Sequence, residues 1–292
     1  MQATSGLRRR RWAWLLGLPL LLACTLSVKT GGGTATPFPP TWTPWPTPPP
    51  LPSPTPEPAD TGWQPGPAGL AWRQWRVETG GGEERLTLVR LDPDQVRFRV
   101  LYAPEAPRPL HAWAEALPEA LLVVNAGYFT PQYQATGLLI SGGVVHGTSY
   151  GDFAGMFAVT PEGEASVRWL RTAPYSSDEP LAEAVQSFPM LIRPGGQVGF
   201  PAGADDGRPA RRTVVAQDRQ GRILFLVAPR GAFTLRALAL FLARSDLELD
   251  SALNLDGGTS TGLWLRPGEG RDAVEIDSLA SLPAVIAVFR RR

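Results

Sequence analysis

Three short stretches of this chain hold polar groups where a protein core has little use for them. Asn125, Gly127, Tyr128 and Phe129 follow a run of aliphatic residues, so an amide and a glycine emerge at a strand end, where functional loops often begin. Arg212 and Thr213, preceded by Arg211, open an apolar strand. Asn254, Asp256, Gly257, Gly258, Ser260 and Thr261 set an amide, a carboxylate, two glycines and hydroxyls between apolar flanks. A carboxylate there is suited to act as nucleophile, base or anionic stabiliser, and a guanidinium forks onto two oxygens of an anion. Paired glycines allow a close backbone approach or a positive φ, and amides in such a turn cradle anions. Each feature also has a plainer reading: an Asp-Gly turn, a surface arginine at a strand start, packed core aromatics. Strand alternation sends Arg211 and Arg212 to opposite faces, so only one of them should face a common site.

The elements that must position these groups are mostly short β-type runs. Residues 72–77, 85–91 and 96–102 read as strands, the last two joined by an Asp92-Pro93-Asp94 turn. Further strands are expected at 121–125, at 138–145 around Gly142-Gly143, and at 156–160 with 165–170 around Glu162-Gly163. A hairpin is expected over 214–217 and 223–227, and strands at 252–255, 262–265 and 284–289. One helix stands out over 234–244: Thr234 can cap it, and Leu235, Leu238, Ala239 and Leu242 recur at helical spacing. The expected class is α+β, a mostly antiparallel β-sheet core with a few packed helices.

Composition narrows the function. With 28 basic and 27 acidic residues, four of the basic ones at Arg8 to Arg11, a nucleic-acid partner is not expected. One cysteine and two histidines, His111 and His146, leave no disulfide framework and no common zinc constellation, so neither metal nor other cofactor is expected. Residues 1–23 read as a signal peptide: four arginines, then an apolar stretch too short to span a membrane comfortably. Leu21-Leu22-Ala23-Cys24 resembles a bacterial lipobox, which makes Cys24 the expected lipidation site and the membrane a partner through that lipid. Residues 34–67 hold fourteen prolines and almost no charge, so 24–67 reads as a lipidated cysteine followed by a semi-rigid tether. The folded domain is expected over 68–292, on the extracytoplasmic face of the cell membrane.

In chain order, Asn125 to Phe129, Gly137 to Gly143, Gln186 to Gly196, Arg212-Thr213 and Ala252 to Ser260 resemble the successive motifs of the phosphodiester glycosidase domain family over roughly residues 85–290. Thr259 stands where that family usually has a third glycine, and Leu247 where a glycine is common. The resemblance implies hydrolysis of a sugar 1-phosphodiester, with a sugar phosphate or polysaccharide as substrate. It selects Arg212 over Arg211 for the phosphate and Asp256 for chemistry at C1. Asn125, Gly127, Tyr128, Phe129, Thr213, Asn254, Gly257, Gly258, Ser260 and Thr261 would line the substrate. A second carboxylate stays open among Asp152, Glu179, Asp205 and Asp206, and with it the choice of retention or inversion; His146 is a minor acid–base candidate. Two other readings use the same residues: a glycan-binding surface module without turnover, and a cation-dependent phosphodiesterase that cuts the P–O bond.

Overall fold

The computed structural model describes residues 58–149 and 155–291. Cys24, the 1–23 segment, most of the tether and Asp152 lie outside the described residues.

The strands form three sheets in which every pairing is antiparallel. The largest has eight strands, in the order Gln64–Pro65, Leu70–Thr79, Gly82–Leu91, Ile223–Phe233, Ala210–Asp218, Leu249–Asn254, Met190–Arg193 and Gln197–Val198. A five-stranded sheet runs Val144–His146, Leu139–Ser141, Glu183–Ser187, Gly155–Val159, Ala165–Trp169. The other five-stranded sheet runs Val274–Ile276, Leu263–Leu265, Ala120–Asn125, Ala284–Arg290, Val96–Tyr102. Two α-helices, Leu110–Glu115 and Leu235–Arg244, complete the regular elements among the described residues, with two short 3-10 turns. The expected antiparallel core is therefore present, and it is more sheet-dominated than the α+β label alone conveys.

The alternation of side chains explains the layering. In the eight-stranded sheet Val89, Leu91, Val215, Phe225 and Val227 point to one face, where they pack with Phe98, Val124, Phe157, Val185 and Ile286 from the other two sheets. The intervening Leu86, Leu88, Val214, Leu224 and Leu226 point to the opposite face and meet Leu238, Ala239 and Leu242 of the Leu235–Arg244 helix. Strands buried on both faces need apolar residues at every position, which is why these segments read as continuous hydrophobic runs. The helix starts as its sequence predicts: the Thr234 hydroxyl accepts the Ala237 N–H at 3.1 Å.

The Gly142-Gly143 hairpin forms, with both glycines at positive φ (56° and 80°), as a tight turn between right-twisted strands requires. The 155–169 and 210–233 hairpins form as well. The Asp92-Pro93-Asp94 turn does something else. Its flanking strands do not pair: Gly82–Leu91 joins the large sheet and Val96–Tyr102 joins Ala284–Arg290, so the turn carries the chain between layers. The Leu110–Glu115 helix was not anticipated. It is six residues long and its N-cap is Pro109, with no side-chain cap bond, so the usual start signal is missing.

Packing also begins upstream of residue 68. Asp60 pairs with the buried Arg73, Asp60 and Trp75 form a β-bridge, and Gln64–Pro65 adds an edge strand to the large sheet. The last residues of the proline-rich stretch are thus part of the folded unit. Arg73 is clasped from both sides, by Asp60 and Asp246.

Candidate functional site

Asn125, Thr213 and Asn254 each close or flank a strand: Asn125 ends Ala120–Asn125, Asn254 ends Leu249–Asn254, and Thr213 lies near the start of Ala210–Asp218. The folding brings the three together around the loop that follows Asn254. Thr213 Oγ1 donates to Asn125 Oδ1 at 2.7 Å, and Gly262 N–H donates to the same oxygen at 3.1 Å. The amide nitrogen of Asn125 donates to the carbonyl of Asp256 at 2.7 Å. Leu255 N–H completes the frame by donating to the Thr213 carbonyl at 2.9 Å. Asn125, Thr213, Leu255 and Gly262 are buried and Asp256 is partly so, which shields these hydrogen bonds from competition by water and fixes the loop from two sheets at once.

The two glycines of the loop do different jobs. Gly257 lies against the neighbouring strand, and a Cβ there would stand 2.8 Å from the Arg211 carbonyl. Gly258 has open space around it but a φ of 59°, so backbone freedom is what its position requires. No anion nest is left at Gly257, because its N–H donates to Asp256 Oδ1 at 2.9 Å. The neighbouring Ser260 hydroxyl likewise favours the ionised Asp256 carboxylate. Burial nevertheless dominates and pushes the Asp256 pKa up to about 6, against the lowering effect of these two donors. A carboxylate poised there is available both as a proton donor and, ionised, as a base or nucleophile near neutral pH.

Arg211 and Arg212 do diverge, as alternation requires, although a bulge between Ala210 and Arg212 interrupts the register with Ile223–Phe233. Arg211 Nη2 donates to the carbonyls of Thr261 (2.8 Å) and Asp277 (2.9 Å), which clamps the far end of the Asp256 loop. Arg211 is therefore engaged with the loop in its own way and is not a bystander. Arg212 is held by weaker bonds, to the carbonyls of Phe233 (3.3 Å) and Arg208 (3.1 Å). Burial lowers its pKa, opposed by the nearby Tyr128, Asp206 and Asp205. Among the described residues no carboxylate forms an ion pair with it, which leaves a half-buried cation beside Tyr128.

Tyr128 stacks on Phe188 with ring centroids 4.7 Å apart and donates its hydroxyl to the Phe188 carbonyl at 3.2 Å. Asn254 Nδ2 donates to that hydroxyl at 2.8 Å and to the same carbonyl at 3.1 Å. Asn254 Oδ1 is buried and has no hydrogen-bond partner among the described residues; the same holds for Thr261 Oγ1 and Ser187 Oγ. Phe129 turns away: it stacks on Tyr133 and packs against the cluster containing Leu110 and Trp113. Gly127 provides close packing, since a Cβ would meet Val185 Cγ1 at 3.0 Å and the Gln186 carbonyl at 3.1 Å.

Of the open carboxylate candidates, Glu179 is committed to a two-pronged pair with Arg168. Asp206 accepts the Arg208 N–H. Asp205 accepts the Thr234 hydroxyl through Oδ2, and its buried Oδ1 has no partner among the described residues. His146 lies against Tyr102 with ring centroids 4.8 Å apart and the rings tilted by 55°. Phe188 was not singled out from sequence; its apolar side chain gives no sign that its carbonyl would receive two side chains. Among the described residues no group of three or more His, Cys, Asp or Glu side chains is arranged to hold a metal ion.

Comparison with known proteins follows the same segments. The sequence model of the phosphodiester glycosidase family matches residues 118–289, which takes in all three stretches. Among solved structures, the catalytic domain of zebrafish N-acetylglucosamine-1-phosphodiester alpha-N-acetylglucosaminidase, auto-inhibited by its pro-peptide, superposes with a TM-score of 0.59 at 17% identity, covering 80% of this chain and 85% of that one. A hypothetical protein from Synechocystis gives 0.52 at 18% identity; 76% of this chain is covered and 62% of that one, so this chain spans less than two thirds of its length. An exported protein from Burkholderia pseudomallei gives 0.52 at 14% identity, with 73% and 76% covered. Identities this low establish a shared fold. A comparison with curated proteins gave no match.

Proposed function

The chain belongs to the phosphodiester glycosidase family, and on that footing we propose that it hydrolyses sugar 1-phosphodiester bonds in polysaccharide or cell-envelope glycan, anchored by a lipid at Cys24 on the extracytoplasmic face of the membrane. The observation that carries the reading is the partly buried Asp256 carboxylate, with a pKa pushed up to about 6, on a loop packed against the strand that bears an arginine with no carboxylate partner among the described residues. A departing phosphate monoester is a good leaving group, so the protein's tasks are to hold its charge and to stabilise or attack C1. Arg212 takes the first task and Asp256 the second. Asn125, Thr213, Gly257 and the buried Thr261 act by fixing the Asp256 loop, Asn254 holds the Tyr128 hydroxyl, Ser260 stands beside the Asp256 carboxylate, and Tyr128 and Gly258 face the substrate.

The reaction breaks the C1–O bond and adds water, giving free sugar and a phosphomonoester in equal amounts. The test is hydrolysis of the methyl phosphodiester of N-acetylglucosamine 1-phosphate in ¹⁸O-water. Label in the sugar supports C1–O cleavage. Label in the phosphate would make the protein a phosphodiesterase instead, and binding without turnover would make it a glycan-binding module.

A further inference from the structure

At the end of the Ala120–Asn125 strand opposite Asn125 lies a second concave site. Arg266 N–H donates to the Leu121 carbonyl, and the antiparallel register sets Arg97 beside Phe289 and Arg290 beside Val96. These residues, with Pro67 and Glu119, surround a cleft of about 450 Å³, the volume of a small-ligand site. Four residues of strand separate it from Asn125, about 13 Å at the usual rise, so it is a separate site from the Asp256 loop.

Its chemistry is specific. Among the described residues neither Arg97, Arg266 nor Arg290 forms an ion pair, and all three are exposed; Arg266 donates to the Pro118 carbonyl at 2.7 Å, so Arg97 and Arg290 carry the charge most open to a ligand. Arg97 lies over the Phe289 ring at 5.6 Å and Arg266 over the Trp264 ring at 5.3 Å, which stiffens two guanidinium planes against aromatic faces. Glu119 and Glu269 line the same cleft. A lipid surface or a nucleic-acid backbone is served by a flat or grooved patch of one sign. A concave wall carrying guanidinium donors beside the Glu269 carboxylate fits a sugar instead: its hydroxyls both donate and accept, and its acidic substituent takes the guanidinium.

We propose that the cleft bounded by Arg97, Arg266, Phe289 and Arg290 is a binding site for an acidic oligosaccharide, separate from the Asp256 site. It gives the protein a hold on an anionic glycan chain that does not depend on the bond being cut.

The probe is trigalacturonate, with neutral maltotriose as control, titrated calorimetrically against the full chain. Trigalacturonate should bind, with affinity falling as salt rises, and maltotriose should not. The Arg97→Gln/Arg290→Gln double variant should lose at least tenfold in affinity while turnover of a small sugar 1-phosphodiester is unchanged. Equal binding of maltotriose, or an unaffected double variant, would overturn the proposal. So would retention of phosphatidylglycerol vesicles through these arginines without trigalacturonate binding. Crystals of the wild-type protein soaked with trigalacturonate give an independent reading: density against Arg97 and Arg290 supports the site, and density elsewhere refutes it. Loss of turnover with intact trigalacturonate binding would count against the hydrolase reading alone.

Discussion

The side-chain amide of Asn125 donates to the backbone carbonyl of Asp256 across 2.7 Å, while its oxygen accepts from Thr213 and Gly262. A residue expected to touch substrate is instead saturated by the protein. It ties the end of one sheet to the loop that follows a strand of another.

That arrangement makes Asn125 a positioning residue. Asn125→Ala leaves the Thr213 hydroxyl and the Gly262 N–H buried without their acceptor, at about 1–3 kcal/mol each. Melting should fall by several degrees, and kcat should drop while KM stays close to the wild-type value. Asn125→Asp retains the two accepted bonds but faces the Asp256 carbonyl with an oxygen, so it should recover stability partly and kcat hardly at all. A rise in KM with kcat intact in both variants would return Asn125 to direct substrate contact.

Asp256 gives a prediction whose sign depends on burial. Its folded pKa of about 6 lies above the ordinary carboxylate value of about 3.9, so the neutral form is favoured by folding. That stabilisation is fully present below about pH 4 and is lost as pH rises through 6, on the order of 2–3 kcal/mol. Asp256→Asn, neutral throughout, should therefore melt higher than wild type at pH 7.5, with the gap closing toward pH 4. Its turnover should fall by orders of magnitude while substrate still binds. Wild-type kcat/KM should rise with pH around 6 if the ionised carboxylate is the working form. Asp256→Asn melting below wild type at pH 7.5 would contradict the burial argument.

The clustering of the site was legible because each of its three stretches broke a local rule: an amide after aliphatics, paired arginines before an apolar run, two glycines after a carboxylate. The strands of the large sheet were legible for the opposite reason, since Val214 to Ala216 and Ile223 to Val227 are apolar on both faces. What stayed hidden depends on contacts between segments far apart in sequence. Nothing local distinguishes Arg211, which clamps Thr261, from a surface arginine, or announces that the Phe188 carbonyl would gather Tyr128 and Asn254. The Leu110–Glu115 helix has no cap residue of its own: Ser278 Oγ and Asp277 Oδ1, far along the chain, accept the Leu110 and His111 N–H groups, and the helix packs on Val123 and Val285, none of which a local pattern encodes.

The anchor is tested apart from the chemistry. Labelled palmitate fed to the native host should enter the wild-type protein and be absent from Cys24→Ala. Because Asp60 grips Arg73, a truncation beginning at residue 58 should melt cooperatively and at a higher temperature than one beginning at residue 68, which loses that pair and the Gln64–Pro65 strand. Label in Cys24→Ala would remove the lipid site, and equal melting of the two truncations would show that residues 58–67 contribute nothing to the fold.

The two arginines separate phosphate recognition from loop support. Arg212→Lys keeps a positive charge beside Tyr128 but loses the planar fork, so binding of a sugar 1-phosphate should weaken at least tenfold, with kcat/KM falling further and melting nearly unchanged. Arg211→Lys removes a donor that bridges the Thr261 and Asp277 carbonyls. A single ammonium on a flexible stem reproduces that bridge poorly, so this variant should lose about 1 kcal/mol of stability and show a lower kcat with phosphate affinity intact. The diagnostic is the split between affinity and stability, read by titration calorimetry and thermal melting on the same samples. If Arg211→Lys were the variant that loses sugar 1-phosphate affinity while Arg212→Lys only lowers melting, the roles of the two strand faces would be exchanged, and the phosphate would sit on the Thr261 side of the Asp256 loop.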